Sequence, residues 1–542
     1  MRAIELAAFR QLVGAGAKSL ETAVVSVEHP EFSFTIMAQW NLGAAGAYGK
    51  GPGAGPKRSD NEKCAFQQPR LSLTSCRMTD FSDLFKADND QPARSIHLLD
   101  SKEFEAWLNG QPEPVRAIVG AQKFRGKAHE HAVLPAQGDE EWSVVAGVAD
   151  REKLGTWCLA KLAEVLPEGQ YRLSEGTPGG AALGWLAAQY RFSRYRKDDH
   201  PAGPRILLTR DVARIDATVQ LAQAVALVRD LVNTPAADMG PAQLEDAVRE
   251  VAQRFDATLT VAKGDELEQG YPMIHAVGKA ADRSFAPRLI DLQWGDPAHP
   301  RIAIVGKGIC FDSGGLDIKP ASAMLLMKKD MGGAAHALAL AQLVMGARLP
   351  VRLHLLIPAA ENAVGGNAFR PGDILKSRKG ISVEIGNTDA EGRLVLGDAL
   401  ARAGEDKPEL IIDFATLTGA ARVAVGPDLP ALFANDDDLA AAVSAAGTEV
   451  DDPSWRLPLW DGYADMLKSD MADINNAGEG GFAGAITAAL FLRRFVPDDT
   501  PWLHLDTFAW RPSARPGRPK GGEALGLRAI FRLLQQRYGR QD

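Results

Sequence analysis

Apolar residues along the C-terminal part of the chain come in short runs separated by longer amphipathic stretches. The strand-like runs fall at 301–305, 351–357, 381–385, 410–414 and 502–505. Helical patterns intervene at about 323–345, 393–403 and 484–495. This alternation predicts a large α/β region with a mixed, mainly parallel sheet and helices on its faces. In such folds ligands sit at the carboxyl ends of the strands.

Upstream the pattern changes twice. From Met78 to about Pro204, short apolar runs such as 117–120 and 142–146 alternate with helical patterns such as 153–166, which reads as a small α/β domain. Residues 211–232 carry apolar side chains near helical period and stop at Asn233-Thr234-Pro235, where proline disfavours helix in the residue before it. The stretch 41–56, NLGAAGAYGKGPGAGP, has no sustained period and can bury little. The expected organisation is a disordered extension or non-native upstream segment over 1–77, an N-terminal α/β domain over 78–206, a linking helix over 207–234 and a catalytic domain over 235–542.

Composition narrows the class. At 542 residues the chain exceeds a single ordinary core, and 46% hydrophobic with 24% charged residues is globular. A net charge of −8 disfavours a dedicated nucleic-acid binder. The four cysteines, Cys64, Cys76, Cys158 and Cys310, form neither a CxxC pair nor a secreted disulfide framework. No apolar run is long enough to cross a bilayer, and the N-terminus lacks the pattern of a secretory signal. The expectation is a cytoplasmic protein with no membrane attachment.

Three stretches carry candidate chemistry. The first, 305–320, reads VGKGICFDSGGLDIKP after a predicted strand, and presents Lys307 and Asp312 five positions apart in a glycine-rich loop. The P-loop spacing GxxxxGK[ST] is absent, which argues against a phosphate loop. The second, MKKDMGGAA at 327–335, sets Asp330 in an apolar, small-residue helix pattern. A buried acid is costly unless paired or metal-bound, though taken alone Asp330 reads as a capping or surface residue. The glycines and alanines after it would let the helix approach a strand closely. In the third, NTDAEGRL at 387–394, Asp389 and Glu391 lie two apart before a helix, with Arg393 behind them. By itself this is ordinary acid enrichment at a helix start. Together, four carboxylates from three strand-adjacent segments would repel one another unless cations neutralised them. Oxygen donors suit Zn²⁺, Mn²⁺ or Mg²⁺, and shared carboxylates suit a bimetallic cluster. No HExxH motif exists.

These strings, with LVNTPAADMGP (231–241), FATLTGA (414–420), DINNAG (473–478) and WLHLDT (502–507), strongly resemble the leucyl (cytosol) aminopeptidase family. The resemblance implies a metalloexopeptidase acting on peptides with a free N-terminus. It implies two divalent ions, Mn²⁺ or Zn²⁺: Lys307, Asp312, Asp330 and Glu391 at one, Asp312, Asp389 and Glu391 at the other. It also implies that Lys319 stabilises the oxyanion, that Arg393 holds bicarbonate, and that the subunits form a homohexamer. Met327, Asn387, Ala390, Thr416 and Gly419 match the family's pocket for the first residue and suit Leu or Met; each alone reads as packing or turn geometry. Two departures stand out. The tail from Ala509 to Lys520 does not follow the family pattern, and Lys329 stands where many relatives have a small residue. The rival readings are another two-metal hydrolase, such as a phosphoesterase, and an inactive member serving as a binding scaffold. His129-Glu130-His131 looks metal-like but lies far from the cluster in sequence, and Cys310 reads as a packing residue.

Overall fold

In the computed structural model, residues 22–29, 32–39, 80–137, 140–196 and 203–539 are described. The chain divides into two compact units, residues 1–70 and 71–542. The first contains an antiparallel hairpin, Thr22–His29 with Phe32–Gln39, where no element was expected. The glycine-rich stretch 41–56 lies outside the described residues.

Two sheets organise residues 71–542. The first has six strands in the order Phe85–Ala87, Arg205–Thr209, Gly169–Leu173, Arg94–Asp100, Glu140–Val148, His131–Gln137. All its pairs are parallel except the last. Phe81, Ile96, Val144, Tyr171 and Trp185 are fully buried in its core. The run at 117–120 lies in helix Glu113–Ala121, because Val115 and Val119 bury together four residues apart. The run at 142–146 is a strand, and the helix expected over 153–166 is shorter, Ala160–Val165. Helix Ile215–Asn233 follows. Its buried Arg229 donates to the Ala187 carbonyl on one side and pairs with Glu523 at 3.1 Å on the other.

The larger sheet positions the site. Its central elements are β1 (Arg301–Gly306), β2 (Gly308–Asp312), α1 (Gly332–Gly346), β3 (Arg352–Asn362), α2 (Glu391–Glu405), β4 (Leu410–Ala415) and β5 (Trp502–Asp506). The order β5, β4, β1, β3 is parallel throughout, with β2 also parallel to β3. Antiparallel strands flank this block: Arg288–Trp294 against β3, and Ala431–Ala434 against β5. The sheet is mixed and mainly parallel, as the alternation of runs predicts. Gly306 aligns with Phe414 and Ala415 with Asp506, so β1, β4 and β5 end at one edge.

Two expected elements differ. The helix over 323–345 is three pieces: a turn of helix at Ala321–Met324, a 3₁₀ turn at Met327–Met331, then α1. In a 3₁₀ turn residues three apart eclipse, which sets Met327 and Asp330 on one side. The run at 381–385 is outside the main sheet; Ser382–Glu384 joins a three-stranded sheet with Ile374–Lys376 and Ile474–Asn475. Helix α1 is buried nearly all round, as a helix without a polar face must be. It lies so close to β4 that a Cβ on Gly333 would meet the Phe414 carbonyl oxygen at 2.2 Å. No helix among the described residues is long and apolar enough to cross a membrane.

Candidate metal centre

Lys307 begins where β1 ends. Its backbone N–H donates to the Phe414 carbonyl and its own carbonyl accepts from Ala334, which ties it to β4 and α1 at once. Its ammonium is buried 2.6 Å from Asp330 Oδ2 and 3.0 Å from Glu391 Oε1, and donates to the Thr416 carbonyl. Gly392 makes room for this side chain, since a Cβ there would lie 2.4 Å from Lys307 Cε.

Asp312 closes β2. The Gly314 N–H and the Asn362 amide both donate to its Oδ1 at 2.9 Å, and Lys319 Nζ is 2.8 Å from its Oδ2. Asp330 leaves the 3₁₀ turn toward Lys307, and the Thr416 hydroxyl donates to its Oδ1 at 2.8 Å. Glu391 opens α2. One oxygen atom from each of Asp312, Asp330 and Glu391 falls within 4.8 Å of the other two, and all three residues are buried. Asp389 is outside this trio, half-buried, and joined to it by Lys319, which pairs with Asp389 and Asp312 together.

The two motif loops are clipped to each other. The Thr388 hydroxyl donates to the Gly314 carbonyl at 2.7 Å, and Asp317 Oδ2 accepts from the Thr388 N–H at 2.8 Å. Fully buried Asn476 holds the other side. Its Oδ1 accepts from the Gly386 and Asn387 N–H groups, and its carbonyl accepts from Arg393 Nη1 at 2.6 Å.

Electrostatics follows from this crowding. Burial, then the nearby charge of Asp312, pushes Glu391 up to about 8. The same two causes raise Asp389. Burial alone would raise Asp330 as well, but Lys307 overrides it and holds the acid low. Lys307 is itself raised, because Asp330, Glu391 and Asp312 outweigh its desolvation. Burial lowers Arg393 to about 10.

The donor set fits divalent cations. Asp330 Oδ2 and Asp389 Oδ1 are buried oxygens whose partners are ammonium groups, Lys307 at 2.6 Å and Lys319 respectively. Positive charge is thus what these oxygens are arranged around, and hard oxygen donors suit Mn²⁺, Zn²⁺ or Mg²⁺. Arg393 Nε is buried and makes no hydrogen bond, which fits a small anion beside it.

A cavity of about 510 Å³ opens onto this cluster. Met327, Asn387, Ala390, Thr416 and Gly419 all line it, along with Lys307, Asp312, Lys319, Asp330, Asp389 and Arg393. The wall also contains Lys329, Arg422 and Phe508, so it is not only small and apolar. Sequence reasoning gave no role to Asn362, Asn476, Arg422 or Phe508. Asn362 had one visible signal: it is the polar end of an apolar run, at the carboxyl end of a strand. Cys310 is a buried core residue, as its small apolar character suggests. His129-Glu130-His131 lies at the start of strand His131–Gln137, in the other sheet.

Comparison with known proteins agrees with this geometry. Residues 226–531 match the catalytic domain of the cytosol aminopeptidase family, and residues 95–207 match the M17 aminopeptidase N-terminal domain. A probable cytosol aminopeptidase of Roseiflexus castenholzii is 44% identical over 384 residues, spanning 67% of this chain and 78% of that protein. The crystal structure of cytosol aminopeptidase from Coxiella burnetii has a TM-score of 0.79 at 46% identity, covering 84% of this chain and 100% of that one. The bottromycin maturation enzyme BotP in complex with Mn has a TM-score of 0.73 at 30% identity, over 84% of this chain and 100% of its own. Neither a phosphoesterase nor an inactive scaffold is favoured by these matches. From sheet to cavity to kinship, the chain belongs to the cytosol aminopeptidase family.

Proposed function

We propose that this metallo-aminopeptidase releases the N-terminal residue of peptides with a two-metal site built by Lys307, Asp312, Asp330, Asp389 and Glu391. The observation that carries the reading is the meeting of three buried carboxylates, from three separate segments, around one buried lysine. Lys307, Asp312, Asp330 and Glu391 would hold one ion, and Asp312, Asp389 and Glu391 the other. Bound divalent ions supply an anchor for the free α-amine, polarisation of the scissile carbonyl and activation of water.

The remaining work falls to the chain's own groups. Lys319 reaches into the cavity held by two acids, and its ammonium can shift to donate to the oxygen that gains charge as the carbonyl is attacked. Arg393 offers its free Nε–H to a bicarbonate ion, with Asn476 fixing the guanidinium plane. Asn362 holds Asp312 in place, and Thr416 does the same for Asp330. The apolar part of the wall suits a Leu- or Met-like first side chain.

The organisation follows the same reading, with one boundary moved: the N-terminal α/β domain expected over 78–206 keeps strand Arg205–Thr209, the linking helix expected over 207–234 is Ile215–Asn233, and the catalytic domain covers 235–542. It extends to a cytoplasmic homohexamer carrying Mn²⁺ or Zn²⁺, with no membrane or nucleic-acid partner; the Mn of BotP supports the metal class. The test is turnover of Leu-p-nitroanilide by the purified protein, before and after chelation and after restoring Mn²⁺ or Zn²⁺. Activity should vanish with chelator and return with metal. Turnover indifferent to chelation would overturn the reading.

A further inference from the structure

Lys329 is the least explained charge in the cavity. It is 5% exposed, next to Asp330 in the chain, with Nζ 3.6 Å from Asp330 Oδ1. That is beyond hydrogen-bond distance, and the oxygen already accepts from Thr416. Asp330 Oδ2 faces Lys307. The acid nearest Lys329 is therefore shared with other donors and, under the function proposed above, is committed to metal.

Its other neighbour is an aromatic ring. Lys329 Nζ is 5.4 Å from the centre of Phe508, and the Arg422 guanidinium is 5.0 Å from the same ring. Two cations thus flank one phenyl group in the cavity wall. Arg422 makes no ion pair among the described residues. Asp506 also lines the cavity, but its oxygens accept from the Leu417 and Thr418 N–H groups and the Thr418 hydroxyl. No ion pair joins it to either cation among the described residues.

A desolvated cation without a matched anion, as Lys329 is, is costly, and the cost is recovered when a carboxylate pairs with it; Arg422, exposed at the rim, adds a second donor. We propose that Lys329 and Arg422, set about Phe508, form a carboxylate-binding subsite in the substrate cavity, so that the enzyme selects peptides whose first residue is Asp or Glu over their neutral amides. The proposal rests on the aminopeptidase reading. Two substrate carboxylates share the needed chemistry, the side chain of the first residue and the C-terminus of a dipeptide. The first is favoured because Lys329 adjoins Asp330 and, two residues after Met327 in the same 3₁₀ turn, lines the same cavity as the residues assigned to the first side chain.

The experiment compares kcat/KM for the p-nitroanilides of Glu, Gln and Leu, none of which has a C-terminal carboxylate. Glu and Gln have the same shape, so their ratio isolates charge. The wild-type Glu/Gln ratio should be about tenfold or more, the scale of a charge-assisted hydrogen bond. It should fall about tenfold in Lys329→Met and by less in the exposed variant Arg422→Met. Because the ratio is taken within each enzyme, a general loss of activity cancels. A second arm compares Leu-Gly with Leu-glycinamide. If Glu/Gln is near one while Leu-Gly is favoured over its amide in a Lys329-dependent way, the subsite reads the C-terminus and the first-residue assignment is overturned. If both ratios are near one, the subsite itself is overturned. If none of these substrates is cleaved with metal present, the aminopeptidase reading fails first, and the subsite with it.

Discussion

The two large sheets of residues 71–542 share parallel strand pairs and covering helices, yet they treat charge differently. Around the N-terminal sheet, Arg151 pairs with Glu103 and Glu175 and Arg210 with Asp90 at the surface, while the buried Arg205 donates to the Ala163 and Gly203 carbonyls. The surface pairs contribute roughly 0–1 kcal/mol each and need no special explanation. At the carboxyl edge of the larger sheet, Lys307, Asp312, Asp330 and Glu391 are buried side by side. Like charges crowded out of water cost far more than any surface pair returns. A fold that keeps such a cluster is using it for chemistry, and perturbed acids at strand ends mark where. Sheet architecture alone does not distinguish the two regions; the placement of charge does.

The largest effect should come from Glu391→Gln, which keeps the shape and removes the charge. Metal-assisted polarisation supplies several kcal/mol to the transition state, so turnover of Leu-p-nitroanilide should fall by about three powers of ten or more. Metal content measured by atomic emission should fall with it. An E391Q enzyme with normal turnover and full metal would remove the ground for treating the larger sheet's edge as special. Next is Lys319→Ala. Loss of a single oxyanion donor should lower kcat by about 10²–10³ with little change in KM. Near wild-type kcat would take the role from Lys319.

How far the chain could be read from its letters follows the same divide. Residues within one short segment were legible, since NTDAEGRL and the loop from Lys307 to Lys319 carry their acids and lysines in local order. The central strands were legible because they are mostly apolar, with isolated polar residues such as His354, Asp413 and His504 inside them. Strand Arg288–Trp294 went unseen because Asp291 and Gln293 interrupt its run. The contacts that fix the site were not legible. Asn362 reaches Asp312 across 50 positions and Asn476 reaches Arg393 across 83, and no local pattern reports such a meeting. Asp389 was grouped with the other acids by its nearness to Glu391 in the chain, but the structure sets it across Lys319 from them. The pocket's charge was half visible: Lys329 stood out as an anomaly, while Phe508 and Arg422 became its neighbours only on folding.

A smaller effect, on stability first, should follow Gly333→Val. The new Cβ would meet the Phe414 carbonyl oxygen at 2.2 Å, and backbone cannot yield as a side chain can. Helix α1 must move off β4, at a cost of about 1–3 kcal/mol, seen as a lower melting temperature. Because the Ala334 N–H donates to the Lys307 carbonyl, turnover should fall too. An unchanged melting temperature would mean that the close approach of α1 is not required.

The smallest effect is expected at His129-Glu130-His131, which looks metal-like in the sequence but lies apart from the acid cluster. Glu130 Oε2 accepts from the Arg125 N–H at 2.8 Å and from the Lys127 N–H at 3.2 Å, so this acid clips a turn before strand His131–Gln137. In Glu130→Ala the two amides lose a charged acceptor but are near enough to the surface to be rehydrated, and the cost should be about 1 kcal/mol. His131→Gln should do less. In both variants kcat/KM and bound metal should equal those of the parent enzyme. A fall in metal content in either would put a further cation on the N-terminal sheet, and the contrast in charge between the two regions would no longer mark the active one.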